Sequence, residues 1–207
     1  MDGRGPTVFL VDDDASFRKG VSRLLSAAGL TVAAFGSAEE FLAAHEPHEP
    51  GCLVLDLAMP GLDGLELQET LEADGCDRPI VFLTGHGDIP ASVRAMKHGA
   101  LDFLTKPVSE DVLLAAVEAA LERDAAKRRD VGEVADFRRR WATLTPRESE
   151  VARRVIAGRL NKQIAAEMGI VERTVKYHRN NAASKLKVRS VAELARLAAR
   201  ADLPLDG

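Results

Sequence analysis

The chain has 207 residues, of which 46% are hydrophobic and 29% charged, and its formal net charge is −4. That length fits one large domain or two small ones, and that composition excludes disordered and fibrous chains. No run approaches the ~18–20 uninterrupted apolar residues of a membrane span. Met1 to Pro6 hold no apolar stretch of a secretory signal, and Cys52 and Cys76 form no metal-binding spacing, so a cytoplasmic protein with reduced, packed thiols is expected.

The small net charge conceals an asymmetry. From Met1 to Asp124, nine Lys and Arg face 22 Asp and Glu, a net of −13; from Ala125 to Phe137, three face three; from Arg138 to Gly207, 16 face seven, a net of +9. Such a split argues for two domains with different electrostatic tasks. The acidic part suits a cation or a basic partner, and the basic part suits nucleic acid or an anionic membrane. Solvated charge on both surfaces is the plainer alternative.

Five short apolar runs punctuate the first part, at 7–11, 30–35, 52–56, 79–84 and 102–105. The first, third and fourth are almost continuously apolar, the pattern of strands buried on both faces. Helix-period segments lie at 16–28, 38–45, 62–72, 89–98 and 110–123. In the first of these Phe17, Val21, Leu24, Leu25 and Ala28 form one stripe, with Asp14 as cap and Gly29 as stop. Strands alternating with helices predict an α/β fold, a five-stranded doubly wound parallel sheet. Ligands of such sheets sit at the carboxyl ends of the strands.

Those ends carry reactive groups. Strand one ends in Asp12-Asp13-Asp14, strand three in Asp56, strand four in Thr84, and strand five is followed by Lys106-Pro107. Converging carboxylates repel and shift toward protonation unless a cation joins them. Hard oxygen ligands with room for water suit Mg²⁺. A carboxylate beside such a cation can attack phosphorus and form an aspartyl-phosphate, with Lys106 and Thr84 placed to neutralise and hydrogen-bond the phosphoryl oxygens. Singly, each residue has a bland reading as cap, loop or surface group; their conjunction at the correct strand ends is what carries weight.

Residues 7–123 resemble a response-regulator receiver domain. The matching motifs are Val11-Asp12-Asp13-Asp14, Leu55-Asp56-Leu57-Ala58-Met59-Pro60-Gly61, Leu83-Thr84-Gly85-His86-Gly87-Asp88 and Gly99-Ala100-Leu101-Asp102-Phe103-Leu104-Thr105-Lys106-Pro107. The third motif is similar to the FixJ group. The resemblance implies that Asp56 is the phosphoacceptor, that Asp13 and Asp56 bind Mg²⁺ directly with Asp12 acting through water, and that the backbone oxygen of Ala58 is a further ligand. It implies that Lys106 pairs with the phosphoryl group, that Thr84 and Phe103 are coupled switch residues, that Lys106-Pro107 is cis, and that the phosphate comes from a sensor histidine kinase. Ala58 stands where Arg or Asn is more usual; a backbone ligand is indifferent to that change, but dephosphorylation is expected to respond to it.

Residues 124–142 read as a partly helical linker, with Gly132 as breaker and a second helical stretch at 133–141. Arg138-Arg139-Arg140 reads as a solvated face rather than a DNA grip. Four short helices follow. Thr145 caps the first, with Pro146 at its first position and Glu148 completing a capping box, and Gly158 ends it. Asn161 is the expected cap of a second at 162–168, ended by Gly169; a third spans 172–187; Ser190 caps a fourth at about 190–200. A short helix, a turn with Gly169 and a longer helix form a helix-turn-helix at about 160–179.

At 100° per residue, Val175, Ala182 and Leu186 of the third helix share a core stripe. Arg173, Lys176, Tyr177, Asn180 and Ser184 lie opposite, with Lys187 nearby and no acid among them. Arg and Lys can read guanine and Asn adenine in the major groove. Residues 142–201 resemble a LuxR-type helix-turn-helix of FixJ and NarL regulators, through Leu144-Thr145-Pro146-Arg147-Glu148, Asn161-Lys162-Gln163-Ile164-Ala165 and Arg173-Thr174-Val175-Lys176-Tyr177-His178-Arg179. By this resemblance Lys176, Tyr177 and Asn180 face bases, and Lys162, Thr174, His178 and Arg179 meet phosphates. Val171 departs from the usual Ser, which predicts either an under-capped helix or a valine packed on the preceding helix.

Together these features predict a receiver at 1–123 and a DNA-binding domain at 143–207. The chain is expected to be a regulator, not an enzyme, that binds promoter double-stranded DNA as a homodimer when phosphorylated, with RNA polymerase as a further expected partner. A Mg²⁺-dependent phosphotransferase is the first rival, but it requires an acid just after the nucleophile, where Leu57-Ala58-Met59-Pro60 stands. A protein-interaction or membrane-surface module, its basic half gripping something other than duplex DNA, is the second, and no amphipathic Trp/Leu face supports a membrane.

Overall fold

The computed structural model describes residues 5–85 and 89–203, and divides into two compact units, 1–127 and 128–207. His86, Gly87 and Asp88 of the third receiver motif lie outside the described residues.

In the first unit, strands β1 (Thr7–Val11), β2 (Thr31–Phe35), β3 (Gly51–Leu55), β4 (Ile80–Thr84) and β5 (Asp102–Thr105) alternate with helices α1 (Ala15–Ala27), α2 (Ala38–Ala44), α3 (Gly64–Ala73), α4 (Ile89–Lys97) and α5 (Glu110–Trp141). All strand pairs are parallel, in the order β2-β1-β3-β4-β5. The expected doubly wound sheet is therefore present. The continuously apolar strands β1, β3 and β4 are buried along their whole length, and the two edges are not. Alternation across each strand feeds two cores. Phe9, Val11, Leu53, Leu55 and Phe82 meet Phe41 of α2, Leu67 and Leu71 of α3 and Ala95 of α4. Val8, Leu10, Val54, Val81 and Leu83 meet Val21 and Leu25 of α1 and Leu113, Val117 and Ala120 of α5. Cys52 lies in the second core, where burial pushes its thiol up to about 12, as an inert packed cysteine requires.

Helix α3 starts at Gly64 rather than 62, because Asp63 and Glu66 form a reciprocal capping box that the apolar pattern did not reveal. Gly64 is itself dictated by packing: a Cβ there would stand 2.3 Å from the Asp56 carbonyl oxygen. The larger departure is α5. It runs unbroken through Gly132 to Trp141, so the expected break at that residue is absent, and 124–141 is helical throughout. A single internal glycine costs a helix only about 1 kcal/mol relative to alanine, and Phe137 and Trp141 anchor its far end in the core of the second unit.

The second unit contains the last part of α5 with α6 (Pro146–Ile156), α7 (Asn161–Met168), α8 (Glu172–Leu186) and α9 (Val191–Arg200). Phe137, Val151, Ile164, Val175, Leu186 and Leu197 are among its core residues. Thr145 and Glu148 form the expected capping box of α6, and Ser190 caps α9 through the Glu193 amide. Asn161 does not cap α7; it is the first helical residue, and Leu160 occupies the cap position with no side-chain acceptor. Gln163 accepts from the Leu160 amide instead, at 2.8 Å. Arg138 and Arg140 are not merely solvated: they donate to the carbonyls of Ala201 and Leu186, and Arg139 and Arg140 pair with Asp136. Among the described residues no helix is long and apolar enough to cross a membrane.

Candidate functional site

Strand register builds the acidic site. Val11 aligns with Leu55 and Leu55 with Phe82, so Asp12 and Asp56 step off neighbouring strands at one level. Thr84 aligns with Thr105, which sets Lys106 just beyond on the edge strand. Carboxylate oxygens of Asp12, Asp13 and Asp56 lie within 4.8 Å of one another. Asp12 and Asp56 are buried and Asp13 is open to solvent. Lys106 Nζ donates to Asp12 Oδ2 and to Asp56 Oδ2, each at 2.7 Å. The ammonium thus supplies part of the positive charge that adjacent carboxylates require.

Burial raises the Asp12 carboxyl above its ordinary value, against the lowering pull of Lys106. Burial alone would lower the Lys106 ammonium, but hydrogen bonds from it to Asp12 and Asp56 outweigh that and hold it raised. The other oxygens are held as well. Asp12 Oδ1 accepts from the Asp14 amide at 3.0 Å, and Asp56 Oδ1 from the Ala58 amide at 3.4 Å. Asp14 faces away from the cluster and caps α1 through the amides of Ser16 and Phe17, as expected. Thr84 is fully buried, and its carbonyl accepts from the Lys106 amide at 2.7 Å. The Lys106-Pro107 peptide is cis, as expected. Phe103 is half-buried, its ring 6.0 Å from that of Phe82.

Two contacts were not foreseen from the sequence. Lys106 Nζ sits over the Phe17 ring, 4.2 Å from its centroid, a cation–π contact that helps aim the ammonium. Arg18 Nη1 donates to the Asp12 carbonyl at 2.5 Å. Phe17 had an apolar-stripe signal only, so its second task was invisible.

The donor set fits Mg²⁺: three carboxylates, all hard oxygen donors, one of them on the solvent side with room for water. Receiver domains bind Mg²⁺ in an acidic pocket of this kind.

In the second unit, Val175, Ala182 and Leu186 are buried as the wheel requires. Arg173, Lys176, Tyr177, Asn180 and Ser184 are exposed, Tyr177 at 63%. Thr174, His178 and Arg179 are half-buried, and Lys162 is exposed on α7. Beside this row, which holds no acid, Glu172 Oε1 lies 3.4 Å from Lys176 Nζ, one helical turn away. Asn161 accepts from Arg179 at 3.0 Å. Val171 is 68% exposed, which removes the packed alternative, and α8 has no side-chain cap.

Comparison with known proteins joins these two sites. Residues 8–118 match the response regulator receiver domain family, and residues 142–198 match the luxR family of bacterial regulatory proteins. Nodulation protein W of Bradyrhizobium diazoefficiens is 48% identical over 92% of this chain and 84% of its own. The response regulator StyR has a structure with a TM-score of 0.80 at 49% identity, covering 95% of this chain and 100% of that one. Full-length FixJ from B. japonicum gives 0.60 at 41% identity, covering 96% and 98%. With a receiver match over more than half its length and relatives of this similarity along nearly all of it, the chain belongs to the FixJ-type response regulators of two-component systems, in which a receiver is joined to a luxR-type DNA-binding domain and phosphorylation regulates transcription.

Proposed function

We propose that Asp56 is the phosphoacceptor and that its phosphorylation switches the chain between DNA-binding states. The observation that carries this reading is the placement of Asp56 between the strand-one acids and Lys106, with 2.7 Å from its Oδ2 to Nζ. An Asp56 carboxylate oxygen bonds to the phosphorus of a kinase phosphohistidine; the P–N bond breaks and its electron pair stays on the imidazole. Asp13 and Asp56 would hold Mg²⁺, with Asp12 and the Ala58 carbonyl completing the set of oxygen donors. The ion, when bound, offsets carboxylate and phosphoryl charge. Lys106 then pairs with a phosphoryl oxygen. Thr84 moves toward the phosphoryl group, and Phe103 changes its packing on β5, biasing a two-state element.

The phosphorylated receiver dimerises through the face of α4, β5 and α5, where Val93, Met96 and Val112 are exposed. Paired second units meet two promoter half-sites. Lys176, Tyr177 and Asn180 face bases, Arg173 contacts DNA from the same outer face, and Lys162, Thr174, His178 and Arg179 meet phosphates. RNA polymerase is the further partner of the promoter complex. Labelling with a small radioactive phosphodonor and Mg²⁺ tests the assignment: wild type is labelled and Asp56→Asn is not. Undiminished labelling of the variant removes Asp56 from this role.

A further inference from the structure

The hydrogen bond between Arg179 of α8 and Asn161 of α7 spans the two helices of the helix-turn-helix. Nη1 stands 3.0 Å from Oδ1, and both side chains are half-buried. A guanidinium offers only donors, so the amide must turn its oxygen toward it. Asn161 is therefore not the helix cap its position suggested; its acceptor serves another residue.

The kind of acceptor matters more than the contact. Elsewhere in this unit arginines meet carboxylates: Arg154 and Arg159 pair with Glu167, and Arg196 and Arg200 with Glu133. A carboxylate orients a guanidinium but also cancels its charge. Among the described residues, Arg179 pairs with no carboxylate and is held by a neutral amide. Its direction is restrained while its charge remains available to an anion. Only one Nη1 donor is engaged in this bond, and a guanidinium has five. Arg179, next in sequence to Asn180 of the outer row of α8, also lines a cleft with Asn180, Arg189 and Ser190.

We infer that Asn161 is a positioning residue for DNA binding, which holds the Arg179 guanidinium oriented and fully charged for a backbone phosphodiester. The inference rests on Arg179 being a phosphate contact. Holding the side chain in place beforehand reduces what binding must order. Because phosphate contacts carry no sequence information, the effect falls on all duplexes alike.

The test uses the full chain and a pool of random-sequence DNA duplexes, with affinity measured across a salt series. Arg179→Ala should weaken binding and reduce the salt slope by about one unit. Asn161→Ala should weaken binding severalfold and leave the melting midpoint of the C-terminal unit at or slightly below that of wild type. Asn161→Asp separates positioning from structure. It keeps the shape and strengthens the hydrogen bond, so the melting midpoint should hold or rise, yet affinity should fall severalfold because the guanidinium is now neutralised. In an Arg179→Ala background neither Asn161 substitution should matter further. Wild-type affinity in Asn161→Asp overturns the inference. So does an Asn161→Asp loss that persists without Arg179, which means direct repulsion of DNA. If Arg179→Ala alone changes neither affinity nor slope, the phosphate role of Arg179 fails, and the inference with it.

Discussion

Lys106 enters the acidic site with its ammonium over the Phe17 ring and bonded to two carboxylates, so one side chain meets an aromatic face and two anions at once. Glu148 is the corresponding residue of the second unit. It is 4% exposed, accepts from Lys185 at 2.6 Å, and accepts from the Thr145 amide at 2.8 Å. Lys185 first, and then the Thr145 amide, hold its carboxyl below the ordinary value of 4.5. A lowered carboxyl stabilises the fold above its unfolded pKa, and that stability is lost as pH falls through the folded value. The C-terminal unit should therefore lose stability on acidification below about pH 4.5, and Glu148→Gln should be less stable at neutral pH and show less of that acid dependence. Thermal melts of the two proteins across pH check this. Parallel profiles for wild type and variant would assign the acid sensitivity to other groups.

At the scale of elements, helix starts divide into two kinds. Asp14, Ser37, Asp63, Thr145 and Ser190 cap their helices with side chains; Leu160 and Val171, which precede α7 and α8, do not. The first amides of α8 thus have no side-chain acceptor from the cap residue, and Glu172 compensates only through charge. Since Val171 is 68% exposed, replacing it removes little buried apolar surface. Val171→Ser should stabilise the C-terminal unit by about 1 kcal/mol, within the ~0.5–2 range of caps. A lower melting midpoint would show that the valine contributes packing after all. Helix α5 offers a second test. Gly132 lies inside it, and an added Cβ would meet nothing within 4 Å. Gly132→Ala should then stabilise the chain by about 0.5–1 kcal/mol. Destabilisation in denaturant titrations would mean that the helix breaks there in solution.

Across the whole molecule, charge separates by unit: a net of −13 from Met1 to Asp124 accompanies the carboxylate site, and +9 from Arg138 to Gly207 accompanies the luxR-type domain. Long-range attraction of phosphate-rich DNA favours the second part and disfavours the first. Val93, Met96 and Val112 remain exposed on α4 and α5 of the acidic unit. Under the proposed mechanism a phosphoryl mimic should convert monomer to dimer in sedimentation, and Met96→Asp should restore the monomer. A phosphorylated chain that stays monomeric would sink dimerisation through this face.

Much of this was legible in the residues. Continuous apolar runs identify β1, β3 and β4 because strands buried on both faces admit few polar residues. Asp12, Asp56, Thr84 and Lys106 are legible because the end of each run places them. The stripe of Val175, Ala182 and Leu186 likewise divides α8 into inner and outer faces. What remained hidden depends on contacts between residues distant in sequence. Lys106 finds Phe17, and Arg179 finds Asn161, only after the chain brings separate helices together. Gly132 reads as a break because local propensity weighs a glycine alone, whereas buried Phe137 and half-buried Trp141 at the far end of α5 hold the helix through it. Periodicity and strand ends are properties of neighbouring residues and survive in one dimension; the partner of a long polar side chain is chosen by packing, and only the tertiary structure decides it.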